Sequence, residues 1–519
     1  MTTTEHHSPD THSTRRRPLD LIIVGAGIAA VDLSHHVANT FPHWRWRVFD
    51  SNTDIGGTWE TFRYPGIRSD SDMGTFCLPF APWPHRGTLG AGANIQGYLR
   101  EEARKTGMLE RTQLRSWVAA ANFHSDDGVW EVTVEVADEA DGANSEGRVA
   151  REKTHTETHW TRRLHMATGY YRHSEGYKPD IPGIADFRGE VIHPQQWTNP
   201  DVAGKNVVII GSGATAVTLL PALHDLGANV TMLQRTPTYI APLFPFDTTT
   251  ELLKRVIPRR KAYRYARKIQ ILRDHFQYHF CTKFPRLGRA FFWTLNRRFV
   301  PASTIRDHFT PPYGPWEQRV CKSPGGDFFM ALNDGASVAT GTIDRVTADG
   351  IRLNSGSKVS GLAGAPHEPV TIPADIIITA TGLELEVFGN AKISVDGVER
   401  VASDMVAYRG AMMDGIPNFS TTVGYLNLSW TLRADLISRY LVRLWSIMAD
   451  RGETVVTPTL PANAHSNEPL LGWSSGYIKR AEHRLPTQAQ DDPWHYEQDY
   501  MVERRNFLGE DMTRDLVFR

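Results

Sequence analysis

Leu21-Ile22-Ile23-Val24-Gly25-Ala26-Gly27-Ile28-Ala29-Ala30 is the stretch that decides the fold. Four consecutive apolar residues are the pattern of a parallel strand buried on both faces. A glycine-rich turn follows directly, then a helical pattern to about residue 39. Trp46-Arg47-Val48-Phe49-Asp50 reads as a second strand ending in an acid. The same grammar recurs far downstream. Val207-Val208-Ile209-Ile210 is the strand, Gly211-Ser212-Gly213-Ala214-Thr215-Ala216-Val217 the turn and helix start, and residues 229–234 the next strand, closed by Gln234-Arg235. Two such units in one chain predict an α/β protein with two Rossmann-like dinucleotide-binding domains.

Each position of these turns has a physical task. The first glycine allows the tight turn, and the second lets backbone approach a pyrophosphate. The third position, Ala30 or Ala216, keeps the helix close to the strand. The pyrophosphate then sits on the helix N-terminus, where free N–H groups and the dipole favour anions. A βαβ unit using glycine only for packing is the bland reading. The strand–turn–helix context at both places weighs against it.

The ends of the second strands separate the two ligands. Asp50 stands about 20 residues past the first turn, where a carboxylate accepts hydrogen bonds from a ribose 2′-hydroxyl and repels a 2′-phosphate; FAD or NAD fits there. The matching place in the second unit is Gln234-Arg235-Thr236, with no acid. A guanidinium and a hydroxyl suit a 2′-phosphate, so this unit predicts NADP(H). The bland reading of Arg235 is a surface ion-pair residue; the missing acid favours the cofactor.

Working outward, residues 128–136 and 155–166 alternate apolar and polar and bracket a polar stretch, 138–153. This predicts a β-meander with a long solvated hairpin. Ala167-Thr168-Gly169 and Ala380-Thr381-Gly382 read as chain crossings between domains. Residues 251–309 turn helical and basic, divided by Pro258, Pro285 and Pro301. A helical insertion with a solvated basic face is the favoured reading. A membrane-surface or anionic-substrate patch is the sharper one. A helix is expected over 429–450.

The predicted division is a disordered tail over 1–18, which lacks large apolar residues, and a first FAD-domain segment over 19–170. An NADP domain follows over 171–375, and the second FAD-domain segment with a C-terminal tail occupies 376–519. Length alone, 519 residues, gives only about three domains.

The 57 Lys and Arg against 58 Asp and Glu exclude a globally basic nucleic-acid binder and a long acidic tail. Three separated cysteines exclude a disulfide framework, a structural zinc site and a dithiol reductase, so no metal is expected. No secretory h-region or transmembrane run is read, and a cytoplasmic protein is expected.

Further motifs carry a resemblance. Phe187-x-Gly189-x-x-x-His193-x-x-x-Trp197, together with Gly56-Gly57-Thr58-Trp59, Tyr64-Pro65-Gly66 and Asp70, resembles type I Baeyer–Villiger monooxygenases, in the branch of the ethionamide-activating enzyme. Thr198 follows the motif tryptophan where those enzymes have Pro or Asp. The resemblance implies FAD, NADPH and O₂, and a C4a-peroxyflavin converting ketones to esters or lactones; S- or N-oxygenation of a heteroatom substrate is the alternative. It implies that Arg319 is the catalytic arginine and Asp70 its partner. FAD contacts would come from Gly25, Gly27, Ala29, Ala30, Asp50, Thr58, Trp59, Glu60, Thr61, Asp70 and Val118. NADP contacts would come from Arg68, Ser69, Asp70, Gly211 to Val217, Gln234 and Arg235. Gln318 replaces a lysine common in relatives, which leaves Arg235 more of the 2′-phosphate contact. His193 is expected to brace an interdomain hinge rather than move protons. Tyr425, Asn427 and Trp430 are substrate-pocket candidates.

Overall fold

A computed structural model of the chain describes residues 13–137, 155–360, 368–464, 466–472, 475–509 and 511–519. Six helices matter for the site: α1 (Ile28–Thr40), α2 (Ala214–Asp225), α3 (Arg259–Lys283), α4 (Pro285–Asn296), α5 (Trp430–Arg451) and α6 (Tyr500–Leu508).

The Leu21–Val24 strand is the middle of a five-stranded parallel sheet. The order is Phe419–Thr421, Leu164–Met166, Leu21–Val24, Trp46–Phe49, Thr112–Gln113. All four of its residues are buried, as a central parallel strand requires. α1 covers one face and packs through Val31 and Leu33 into a core shared with Leu436, Ile437 and Tyr440 of α5. This sheet joins strands from both ends of the chain.

The second sheet has six strands, in the order Lys358–Val359, Ser337–Thr340, Asn229–Gln234, Asn206–Ile210, Ile376–Thr379, Glu190–Ile192. Only the Lys358–Val359 edge is antiparallel. α2 buries Leu219, Leu220 and Leu223 in its core. The meander pairs Ser116–His124, Val129–Val136 and His155–Thr161 antiparallel, and Lys392–Val395 joins its edge in parallel. The expected hairpin tip over 138–153 lies outside the described residues.

The prolines of the basic segment begin helices rather than interrupt them. Pro258 caps α3, Pro285 is the first residue of α4, and Pro301 caps Ala302–His308. α5 runs one residue past the expected end and closes on Gly452 at φ 70.

The expected tail over 1–18 needs correction. Residues 1–12 lie outside the described chain, but residues 13–18 are held in place. Thr14 and Arg17 exchange backbone hydrogen bonds of 3.2 and 3.0 Å, and the Trp160 amide donates to Ser13 Oγ at 3.0 Å. Arg15 pairs with Asp127 and lies over the Trp160 ring. Burial of large apolar side chains was the wrong criterion: a polar turn closing its own backbone bonds on a strand edge needs none.

His165 sits in the Leu164–Met166 strand, fully buried, with Nδ1 2.8 Å from Ser420 Oγ and Nε2 3.0 Å from Thr422 Oγ1. Burial lowers its pKa to about 3. A histidine neutral in the folded state and near its ordinary pKa when unfolded favours folding fully above about pH 6.5 and progressively less as pH falls towards 3. Unfolding free energy is therefore expected to fall by up to about 1.4 kcal/mol per pH unit from this group across that window. His165→Gln should flatten the pH profile in denaturant titrations; an unchanged slope would remove His165 as the cause.

Candidate active site

The two glycine turns are built alike. Gly25 has φ 98, and a Cβ there would lie 2.7 Å from the Ala167 carbonyl oxygen; Gly211 has φ 143, and its Cβ would lie 2.2 Å from that of Ala380. Each first glycine is therefore demanded twice, by backbone conformation and by the alanine of the Ala-Thr-Gly crossing strand beside it. The second glycines differ. Gly213 faces open space, and Gly27 meets only Gly57 Cα, at 3.7 Å from an added Cβ. That is a cradle for a close-approaching pyrophosphate. The residues fit two dinucleotides: both turns open into one cavity of about 1200 Å³ between the sheets.

At the first turn, Asp50 is buried and holds the loop. Its carboxylate accepts from the Ala26 amide at 2.5 Å and the Asn52 amide at 2.7 Å. Burial pushes its carboxyl up, an effect those amide bonds only partly offset. At the second turn, Ser212 Oγ donates to the Thr236 carbonyl at 3.0 Å, tying the turn to the strand end. Arg235 stands exposed at the cavity wall and makes no ion pair with the described residues.

Between the turns sits the Arg319 cluster. Residues separated by 249 positions meet in a two-point ion pair, Nε to Asp70 Oδ2 and Nη2 to Asp70 Oδ1, both 2.9 Å. Nη2 also donates to Ser71 Oγ at 3.0 Å, and Nη1 to the carbonyls of Leu426 at 2.5 Å and Leu428 at 3.4 Å. Burial alone would lower the guanidinium pKa, but the Asp70 carboxylate outweighs it and the net direction is up. The group stays cationic. Trp316, just upstream, has φ 71, an unusual left-handed conformation for a tryptophan that sets the direction of this loop.

Of the residues expected in the first site, Gly25, Gly27, Ala29, Asp50, Thr58, Trp59, Asp70 and Val118 line this cavity. In the second, Arg68, Gly211, Ser212, Gly213, Ala214, Thr215 and Arg235 do so. Others do not, each for a visible reason. Ala30, Ala216 and Val217 are buried where their helices meet the sheets. Glu60 pairs with Arg63 and takes a bond from Gln96. Thr61 Oγ1 bonds His173 Nδ1 at 2.6 Å. Ser69 is tied to Gly90, accepting from its amide at 2.9 Å, and so fixes the loop that carries Asp70. Gln234 turns away, donating to the His308 carbonyl at 2.6 Å and Thr340 Oγ1 at 3.0 Å.

His193 lines the cavity, its Nδ1 accepting from the Gln195 amide at 3.2 Å. Its ring occupies the space a Cβ on Gly176 would need, at 1.9 Å, so it packs on the segment that crosses from the first sheet to the second. Trp197 instead packs on the core of the second sheet. Gly189 of the same motif abuts Asp375, whose carbonyl a Cβ would meet at 2.1 Å. Among the substrate-pocket candidates, Tyr425 and Trp430 line the cavity, but Asn427 does not; its Nδ2 donates to the Gln498 carbonyl at 2.9 Å.

Several cavity groups were not anticipated. Tyr170 and Tyr171 follow the Ala167-Thr168-Gly169 crossing directly, their hydroxyls 3.1 Å apart, and Tyr170 packs on Trp430 with ring centres 5.0 Å apart. Burial pushes both phenols up, so they remain hydrogen-bond donors. Their position just after a crossing was the available signal. Ser71 had none, and neither had Asp327, which does not line the cavity but holds Arg68, a residue that does. Asp327 begins the Asp327–Asn333 helix and clasps Arg68.

A parallel-sheet chain with two glycine turns facing one cavity, and a charged arginine held at their junction, defines a protein built to hold two dinucleotides about one site. Residues 19–259 match the family model described as pyridine nucleotide-disulphide oxidoreductase. The three cysteines here are free and buried, so the disulfide chemistry in that description has no counterpart in this cavity. The chain is 40% identical to the FAD-containing monooxygenase EthA of Mycobacterium tuberculosis over 491 residues, 94% of each protein. It is 37% identical to the probable FAD-binding monooxygenase AlmA of Acinetobacter baylyi, over 94% of this chain and 93% of that one. It therefore belongs to this family of FAD-containing monooxygenases. Among solved structures, it resembles the open form of cyclohexanone monooxygenase at a TM-score of 0.70 and 17% identity, covering 97% of this chain and 99% of that one. A steroid monooxygenase bound to NADP gives 0.69 and 19%, covering 96% and 99%. Among the described residues no helix is long and apolar enough to cross a membrane.

Proposed function

We propose that the protein is an FAD- and NADPH-dependent Baeyer–Villiger monooxygenase, inserting one oxygen atom of O₂ beside a ketone carbonyl to give an ester or lactone. The observation that carries this reading is the two-point Arg319–Asp70 pair inside the cavity onto which both dinucleotide turns open. Bound FAD, once reduced by the nicotinamide, supplies the activation of O₂.

The chain's own residues supply the rest. Gly27 and Gly213 leave room for the two pyrophosphates, and the N-termini of α1 and α2 receive their charge. Asp50 accepts from the ribose hydroxyls of FAD. Arg235 takes the 2′-phosphate of NADPH. Arg319 presents a fixed positive charge to the oxygen on which negative charge develops, through charge-assisted hydrogen bonds. Asp70 holds the guanidinium plane in position. The contact of Nη1 to Leu428, at 3.4 Å, is the longest the guanidinium makes, so this N–H is the one released most cheaply to a reacting oxygen. Tyr170, Trp430 and Tyr425 form an aromatic wall that favours an apolar carbonyl substrate. His193 braces the crossing segment and acts on turnover through hinge motion.

The deciding experiment is product identification from a panel of ketones and a panel of organic sulfides under NADPH and O₂. Ester or lactone from ketones is expected. Sulfoxides alone, with no ester from any ketone, would replace this reading with heteroatom oxygenation. Arg235→Ala should raise the KM for NADPH about 10–100-fold, the range of one charge-assisted bond, while leaving kcat and the KM for NADH near their starting values. An unchanged NADPH/NADH preference would remove Arg235 from the cofactor site.

A further inference from the structure

Residues 251–298 carry fourteen lysines and arginines against two carboxylates. The structure adds an arrangement that composition does not show. α3 turns small or polar side chains inward, with Ala262, Ala266 and Gln270 buried. Large apolar side chains at Tyr265, Ile269, Leu272 and Phe276 are left outside, 50, 47, 53 and 69% exposed. Their spacing of 4, 3 and 4 residues places them on one stripe of the helix. Lys261, Arg264 and Lys268 flank that stripe and form no ion pair with the described residues. The stripe continues: Phe276 stacks on Phe280 at 5.9 Å between ring centres, Phe280 meets Phe284 at 5.7 Å, and Leu287 and Phe291 of α4 extend it, 56 and 51% exposed. A soluble surface helix ordinarily shows the reverse order, apolar in and charged out.

We infer that the α3–α4 face is a docking surface for an anionic lipid bilayer. An apolar ridge rimmed by unpaired cations matches the acyl boundary and the phosphate layer of such a membrane. The charge argues against a second copy of this chain as the occupant, because a two-fold contact would bring two strongly basic segments together. The face stands one helix away from the proposed site: Ile271 of α3 packs with Tyr425, Leu428 and Leu432, the first two of which line the large cavity. Docking would thus hold the cavity wall beside the bilayer, where apolar substrates concentrate.

The test uses the FAD-loaded full chain mixed with vesicles of phosphatidylcholine alone or of phosphatidylcholine with phosphatidylglycerol, separated by sedimentation. Binding to the anionic vesicles is expected, weakening as salt is raised, with little binding to the neutral ones. The triple variant K261E/R264E/K268E and the double variant I269D/F276D should each lower the partition coefficient about tenfold or more. Both should keep the flavin spectrum and vesicle-free NADPH oxidation of the parent, which guards against misfolding. Absence of binding to either vesicle type, equal binding to both, or variants that partition like the parent would each overturn the inference. So would I269D/F276D converting an oligomer to a monomer without changing vesicle binding, which would assign the face to contacts between copies.

Discussion

Arg319→Ala is expected to cut formation of oxygenated product by about 100–1000-fold or more, the cost of removing one preorganised donor from a developing oxyanion. Bleaching of the flavin by NADPH should persist, because the nucleotide turns stand on other elements. Electrons should then leave as hydrogen peroxide in place of ester. Arg319→Lys should recover little. Lysine has no planar fork, so it cannot keep both 2.9 Å contacts to Asp70 and also reach the carbonyls of Leu426 and Leu428. Asp70→Asn should be milder, since it leaves the cation but loosens its orientation. Anaerobic stopped-flow reduction, followed by product and peroxide assays, separates these cases. Wild-type product yield from Arg319→Ala would refute the assignment outright.

Arg433→Met is expected to destabilise the fold by about 3–5 kcal/mol, the cost of stranding a buried charge. Arg433 is fully buried on α5 and forks onto Glu503 of α6 with contacts of 2.9, 3.0 and 3.1 Å. It also donates to the carbonyls of Val423 at 2.7 Å, Arg409 at 2.6 Å and Gly410 at 3.2 Å. Its removal leaves three carbonyls and a carboxylate without their cation. Burial already pushes the Glu503 carboxyl up, and Arg433 is the main force against that. Glu503 in turn accepts from the Tyr425 hydroxyl at 2.6 Å, so the loss reaches the cavity wall. Thermal unfolding should show a midpoint lower by roughly 5 °C or more. The double variant Arg433→Met/Glu503→Leu should recover much of the loss, because an apolar pair leaves no unpaired charge. A single variant as stable as the parent would show that the pair carries no net stability.

The nucleotide units were legible because their information is local. Glycine permissiveness, strand apolarity and the acid or arginine at a strand end all act within about 30 residues. The Phe187–Trp197 motif was legible as a family mark but not in its physical use. Gly189 and Trp197 build the edge of the second sheet, and only His193 reaches the cavity. Residues 13–18 were misread because their anchors, Trp160 and Asp127, lie more than a hundred positions away. Asn427 and Gln234 stand between residues that line the cavity, yet their side chains satisfy partners in the C-terminal segment and the helical insertion. Pattern says which residues share an element, not which way each polar group turns.

By itself, then, the sequence determined the two strand–turn–helix units, since apolar runs and glycine-dependent backbone conformation at adjacent positions are enough for both. Tertiary structure supplied what local pattern could not derive: how strands of the two expected FAD-domain segments pair in one sheet, and the two-point contact by which Arg319 meets Asp70 across 249 positions. It alone decided that the basic insertion turns its large apolar side chains outward. These depend on which distant surfaces bury one another, and that is settled by the packing of the whole chain rather than by any local rule.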